Sequence, residues 1–245
     1  MNIYFESFLI TLFLSTLFSM GGAGGAAALI PILNFLGFSF PLSKAAGLFV
    51  NVTATSVSTL LNLKHKLLDL KITIPLLISL TIFLPIGAYF SQYLNEKTMK
   101  WMLALFLIFS SYMLIFGKKQ SKFNLQNRLL LFLIGAVVGI FSGIIGISGG
   151  NIIAAILILL GYDPKKTAAV ISSIIPISSF AGFLTYAHMI KIDYKLILCT
   201  ALAALIGGYI GNNLMYFKLK SSQIKKIIGI LLFLIALKLI LTLIK

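Results

Sequence analysis

The sequence predicts an all-α, multi-pass membrane protein, and three observations support this fold class. Hydrophobic residues make up 60% of the 245 residues and charged residues only 10%, whereas a soluble domain carries about 25% charged residues. Most apolar segments are 18 to 24 residues long, enough to cross about 30 Å of hydrocarbon as helices. None shows the alternating pattern of a barrel strand, and open strands cannot span lipid.

Nine or ten apolar segments follow one another along the chain, and two of them are short. The short segments, Ala26–Gly37 and Asn151–Leu160, each follow a glycine cluster. The longer segments are Ile3–Met20, Pro41–Leu63, Ile72–Leu94, Thr98–Phe116, Leu129–Gly146, Thr167–Ala187, Tyr194–Phe217 and Ile224–Ile244.

The two halves of the chain repeat the same order of motifs. Gly24-Gly25 lies 125 residues before Gly149-Gly150, and Pro41 lies 123 residues before Pro164. Internal repeats are frequent in transporters. We therefore expect one membrane domain built from a first repeat, 1–122, and a second repeat, 123–245. Each repeat is expected to hold a glycine-broken helix pair plus three spanning helices.

The length of each glycine-broken element predicts that the chain turns at the glycines and returns. Ile3–Gly37 would be about 50 Å long as one helix, and even a strongly tilted helix of that length would not fit within the bilayer. The same holds for Leu129–Leu160. This topology makes the two halves inverted repeats with both termini outside, in a bacterial-type inner (plasma) membrane.

The distribution of basic residues favours this topology over a single crossing for each element. If each glycine-broken element enters the bilayer and returns to the same side, 13 of the 20 Lys and Arg residues fall on one side and 6 on the other, and Lys238 lies inside the last span. With single crossings the sides carry 9 and 10, which is no bias. The positive-inside rule prefers the first distribution. The smaller group is Lys44, Lys97, Lys100, Lys191, Lys195 and Lys245.

The glycine motifs Gly21–Ala26 and Gly146–Asn151 are candidates for an anion site. In inverted repeats they enter from opposite faces, so each short helix points its N-terminus at the centre. Helix N-termini carry unpaired N–H groups and partial positive charge, and glycine lets a ligand approach the backbone. Close helix packing is the alternative interpretation of such small-residue clusters.

Polar residues on one helical face extend this candidate site. Asn51, Thr55, Ser58 and Asn62 follow at spacings of four, three and four, and the matching span carries serines around Pro176. They predict either a polar lining or hydrogen bonds between helices. The predicted substrate-binding residues are Gly24, Gly25, Asn51, Thr55, Ser148, Gly149, Gly150, Asn151, Ser172, Ser173 and Ser179.

Several function classes are disfavoured by the sequence. We expect no enzyme, because no nucleophile–base pair, metal ligand set or phosphate loop is present, and we expect no metal or cofactor. The net charge of +15 lies in short loops, so nucleic acid is not an expected partner. The expected partners are a small anionic substrate and the lipid bilayer, and a second copy of the chain is a candidate.

The glycine-rich Gly21–Ala26 followed by Pro31 and Leu33, the Pro41-x-x-Lys44-Ala45-Ala46 motif and the second copy at Gly146–Asn151 resemble the TauE/SafE family of sulfite exporter-like transporters. The resemblance covers nearly the whole chain. It implies transport of sulfur-containing anions such as sulfite, sulfonates, sulfoacetate or thiosulfate. The second copy departs from the first, since Ile156 stands where Pro31 does and Asn151 replaces Ala26.

The residues and the resemblance together predict a secondary transporter of small, sulfur-containing anions, bound between two opposed helix N-termini. An anion channel and a membrane structural subunit without substrate are the alternatives.

Overall fold

In the computed structural model, the described residues are 2–20, 24–64, 69–116, 127–160, 162, 164–216 and 221–244, and they form ten α-helices and no strand. A 3₁₀ turn, Ser91–Tyr93, follows the fourth helix. The helices are α1 (Ile3–Ser19), α2 (Ala26–Phe35), α3 (Phe40–Lys64), α4 (Leu70–Phe90), α5 (Glu96–Phe116), α6 (Arg128–Ile145), α7 (Gly150–Leu159), α8 (Pro164–Met189), α9 (Tyr194–Tyr216) and α10 (Ser221–Ile244).

The helices confirm the predicted all-α, multi-pass membrane class. Within the described residues, six helices are long and apolar enough to cross a bilayer, namely α4, α5, α6, α8, α9 and α10. Large apolar side chains such as Phe13, Val137 and Leu198 lie on the outside of the bundle. Water would not tolerate so extensive an apolar surface, whereas acyl chains do.

The two short helices are α2 and α7, with ten residues each, and each returns toward the end where its preceding helix began. The ring of Tyr4, at the start of α1, lies 6.2 Å from the ring of Phe38, just after α2. In the second half, Leu131 near the start of α6 and Leu157 near the end of α7 belong to one buried apolar cluster. The chain therefore turns at both glycine motifs.

The helices pack in pairs that correspond between the halves of the chain. Helix α1 packs along α9, and α6 packs along α4. Helices α3 and α8 pack together at the centre, as do α5 and α10 at one side. In each pair, the first helix of one half packs against the fourth helix of the other half: α1 against α9, and α6 against α4. The inverted-repeat relation and the boundary between 122 and 123 remain predictions.

The start of α1 and the final turns of α10 lie at the same end of the bundle. The Tyr4 hydroxyl donates to Asp193 Oδ2 at 2.9 Å, which places the α8–α9 connection at this end. The Lys238 ammonium lies 4.5 Å from the ring centre of Phe35, near the end of α2.

Candidate functional site

One side chain, Asn51 in the middle of α3, joins the two glycine motifs. Its Oδ1 accepts a hydrogen bond from the Ala26 N–H at 3.2 Å, and its Nδ2 donates to Ser148 Oγ at 2.9 Å. Both bonds are buried inside the bundle. A single amide therefore connects the N-terminus of α2 with the loop before α7, residues that are far apart in the sequence.

The first motif leaves the N-terminus of α2 open to Asn51. Gly25 is the N-cap, with φ +86°, a left-handed conformation that side chains disfavour, and it offers no side-chain cap. A Cβ on Gly24 would lie 2.7 Å from Asn51 Cα and would also meet Asn51 Oδ1. Asn51 therefore caps α2 from another helix, and this cap depends on the missing side chain of Gly24.

The second motif is packed differently. Helix α6 is followed by the C-cap Gly146, with φ +85°, and Ser148 comes next but one as the acceptor for Asn51. A Cβ on Gly149 would meet Leu80 Cδ2 at 2.7 Å, and one on Gly150 would meet Ile175 Cδ1 at 2.5 Å. The start of α7 is thus covered by apolar side chains rather than by an amide.

The polar stripe of α3 faces the interior, as the sequence predicts. Asn51, Thr55 and Ser58 are all buried. Thr55 Oγ1 donates to the Asn51 backbone carbonyl, which ties it to the same turn of helix. The side chain of Asn62 lies outside the described residues. The buried stripe lines the contact of α3 with α8 and α9.

The three predicted serines of α8 do not all lie beside Asn51. Ser172 and Ser173 donate to the Ala169 carbonyl of their own helix, at 3.0 and 2.8 Å, and Thr59 of α3 donates to the Ser172 carbonyl. Further along the same contact, the ring centres of Phe49 on α3 and Phe183 on α8 lie 4.7 Å apart. The antiparallel course of α3 and α8 therefore places Ser172 and Ser173 about two turns from Asn51.

Ser179 lies closer to Asn51, by the same antiparallel register. It is buried, and within the described part of the chain its hydroxyl has no hydrogen-bond partner. Asn151, in the first turn of α7, is half-buried. The structure thus gathers Gly24, Asn51 and Ser148 by direct contact. Gly25 lies between Gly24 and the Ala26 N–H that binds Asn51, Thr55 lies one turn away, and Gly149, Gly150 and Asn151 follow Ser148 in the chain.

The structure corrects one interpretation and adds two polar residues to the interior. Lys44 is not a surface lysine as the charge count assumed: α3 begins at Phe40, which places Lys44 one turn inside the bundle and fully buried. Asn212 of α9 is also buried, and its Nδ2 donates to Ser58 Oγ at 2.6 Å. The sequence signal that could have identified Asn212 is its position as a polar residue inside the apolar span Tyr194–Phe217, where lipid cannot satisfy an amide.

Comparison with known proteins identifies the family. The family model described as sulfite exporter TauE/SafE matches residues 7–239. The chain belongs to the TauE/SafE family. A relative from Methanocaldococcus jannaschii, described as a probable membrane transporter protein, is 27% identical over 177 residues. That alignment covers 69% of this chain and 66% of the relative, just under two thirds of its length. No solved structure matches the chain.

Proposed function

We propose that this TauE/SafE chain is a secondary membrane transporter of small, sulfur-containing anions of the sulfite, sulfonate and thiosulfate class. The family description supports the substrate class, and the relative's description supports membrane transport. The proposal includes a bacterial-type plasma membrane location, inverted repeats and both termini outside. The observation that carries the site assignment is the Asn51 amide between the two glycine motifs.

In the proposed site, Asn51 Oδ1 stands where an oxygen of the anion binds. A carbonyl oxygen and an oxyanion accept the same hydrogen bond, so Oδ1 satisfies the Ala26 N–H while the site holds no substrate. When the amide turns away, an anion oxygen replaces Oδ1 at this N–H. The Asn51 Nδ2 and the Ser148 hydroxyl then supply further donors.

The proposed site binds an anion without a cationic side chain in direct contact. The N-termini of α2 and α7 supply partial positive charge, and backbone N–H groups replace part of the lost hydration. Unpaired cations are costly in a membrane, so neutral donors give reversible binding that a transporter needs. A carboxylate at the site would repel an anionic substrate. Asn51, Thr55 and Ser148 have neutral side chains, so they do not repel it.

The first experiment is counterflow in proteoliposomes preloaded with unlabelled sulfite or a simple alkanesulfonate, with the labelled anion outside. Wild-type protein should show saturable exchange, competed by thiosulfate and other small anions but not by a neutral amino acid. Asn51→Leu should lose this exchange. Thr53→Val is the matched control, because Thr53 lies on the same helix and, among the described residues, its hydroxyl bonds only to carbonyls of its own helix.

The alternatives give different results in the same experiment. An anion channel on this scaffold would pass labelled anion without saturation and without acceleration by the preloaded anion. A structural subunit would show neither flux nor stabilisation by any anion. Equal exchange by Asn51→Leu and Thr53→Val would remove the site assignment while leaving the transporter proposal in place.

A further inference from the structure

Lys44 is a buried lysine of α3 that lies two turns before Asn51. Its relative exposure is 1%. The ammonium nitrogen lies 3.4 Å from Ser91 Oγ, 3.3 Å from Met99 Sδ and 3.4 Å from the Ile144 carbonyl oxygen. The two distances to oxygen are long for hydrogen bonds of a charged donor, which are about 2.7–2.9 Å, and the thioether sulfur is only a weak acceptor.

Among the described residues, no carboxylate forms an ion pair with Lys44. The acidic group at this end of α5, Glu96, pairs with Lys100 at 2.7 Å. The other titratable group facing Lys44 is Tyr186 of α8, whose ring centre lies 4.6 Å from the ammonium. The short turn after α4 presents Ser91, and α6 presents only a backbone carbonyl. Within the described part of the chain, Lys44 is therefore a buried amine with no carboxylate in direct contact, and Glu96 acts on it only at longer range.

Opposing effects act on the charge of this amine. Burial away from water disfavours the ammonium form, and buried amines commonly respond by losing the proton. The faces of Phe40 and Tyr186, and the carbonyl end of α6, favour the ammonium form. Because these effects oppose each other, a charge arriving nearby can decide which form prevails.

Lys44 contacts the same helix and the same loop that form the candidate site. It lies seven residues before Asn51 on α3, which is two turns along the same helix face, or about 10 Å. Its side chain packs directly on Gly146, where a Cβ would lie 2.5 Å from Lys44 Cβ. Two residues later, Ser148 binds Asn51. The loop before α7 therefore contacts Lys44 at one end and Asn51 further along.

We propose that Lys44 carries a proton that crosses the membrane together with the anion. The neutral amine takes this proton from water on the side from which the anion arrives, and the ammonium releases it to water on the other side. On uptake, an O–H bond of a hydronium ion breaks as the N–H bond forms; on release, the N–H bond breaks as an O–H bond forms on a water molecule at the other side, and no electrons are exchanged. The inference rests on the proposed function, because the anion at the Asn51–Ser148 site supplies the negative charge that favours the ammonium.

The test uses full-length protein in proteoliposomes with a sulfite or alkanesulfonate substrate and two readouts. Counterflow at equal pH on both sides measures exchange, and accumulation driven by an imposed pH gradient measures coupling. An internal pH dye records proton entry with the anion. Lys44→Met keeps the length of the side chain and cannot bind a proton. Lys100→Met is the matched control, because Lys100 lies 5.5 Å from the same Phe40 ring but is paired with Glu96.

The proposal expects Lys44→Met to keep counterflow and to lose gradient-driven accumulation, which one coupled proton makes about tenfold for each pH unit of the gradient. Lys100→Met should retain both. Wild-type accumulation without proton entry overturns the proposal, as does any folded Lys44 variant that still accumulates anion in response to the gradient. Loss of both readouts in folded Lys44→Met overturns it in favour of a positioning role. Lys44→Gln and Lys44→Arg provide further variants if Lys44→Met does not fold. Absence of wild-type counterflow would instead reject the proposed function itself.

Discussion

The two glycine motifs have corresponding positions in the sequence but different surroundings in the structure. At the first motif, the polar amide of Asn51 caps the N-terminus of α2. At the second, Ile175 covers the start of α7. Position 174, which corresponds to Asn51 at the offset between Pro41 and Pro164, is a buried isoleucine. The backbone plan is similar in the two halves, whereas the chemistry is concentrated in the first.

This difference shows how a repeated backbone can make a single, asymmetric site. A polar residue inside a membrane protein is costly unless it finds partners, so two fully polar copies would need twice the number of matched bonds. Here one asparagine serves both motifs, because Ser148 of the second motif reaches it. The second half contributes the loop and the apolar cover, and the first half contributes the amide.

The largest expected difference between the motifs is between Gly24→Ala and Gly150→Ala. The new methyl group at Gly24 meets the Asn51 Cα, which cannot move without shifting α3, whereas at Gly150 it meets the tip of Ile175. We expect Gly24→Ala to reduce counterflow by about 100-fold, since a displacement near 1 Å at a site has that effect. Gly150→Ala should cost no more than about tenfold.

The double variant Gly150→Ala/Ile175→Ala is the control for the second motif. Truncating Ile175 removes the two nearest side-chain atoms and leaves Ile171 Cγ2 at 2.8 Å, so the double variant should recover part of the stability that the two single changes lose when added together. Thermal unfolding in detergent measures this. Equal losses of counterflow in Gly24→Ala and Gly150→Ala would show that the two motifs act alike, contrary to the comparison drawn above.

An intermediate effect is expected for the bond between Asn51 and Ser148. Replacing each residue by Ala, singly and together, gives a double-mutant cycle in the free energy of unfolding. Hydrogen bonds between membrane helices average about 0.6 kcal/mol and reach about 1.7 kcal/mol, and this fully buried bond should fall in the upper part of that range. Strictly additive effects would indicate that the bond does not connect the two halves energetically.

The smallest effect is expected for the bond between Asn212 and Ser58, which lies within the interior but away from both motifs. Asn212→Ala should lower the free energy of unfolding by about 0.6 kcal/mol and leave the apparent affinity for the anion unchanged. Equilibrium unfolding and competition in counterflow measure the two quantities. A large change in affinity would extend the site along α3 beyond Thr55.

Much of the fold could be predicted because membrane helices are specified by local composition. The short segments expected at Ala26–Gly37 and Asn151–Leu160 are α2 and α7, and the structure begins them within one residue of the predicted starts. Glycine clusters predicted the turns, since long helices would overshoot the bilayer. The interior location of Asn51 followed from the helical spacing of its polar neighbours.

The prediction that Lys44 lies at the membrane surface was wrong because it used local sequence alone. A lysine four residues after the start of a helix is usually drawn to the water surface, and the positive-inside count depends on that tendency. Whether the surface is within reach depends on which helices surround the first turn of α3. Here α5, α6 and α8 contribute Met99, Ile144 and Tyr186 around the ammonium.

By itself, the sequence determined that this chain is an all-α membrane protein with two glycine-broken helix pairs and a polar face on α3. Those features depend on residues close together in the chain, through segment length, helical period and glycine content. Only the tertiary structure decided that Asn51 meets both motifs, that Ile175 covers one of them, and that Lys44 is buried. Helical period tells which residues share a face, but the partner of that face is chosen by packing between helices distant in sequence.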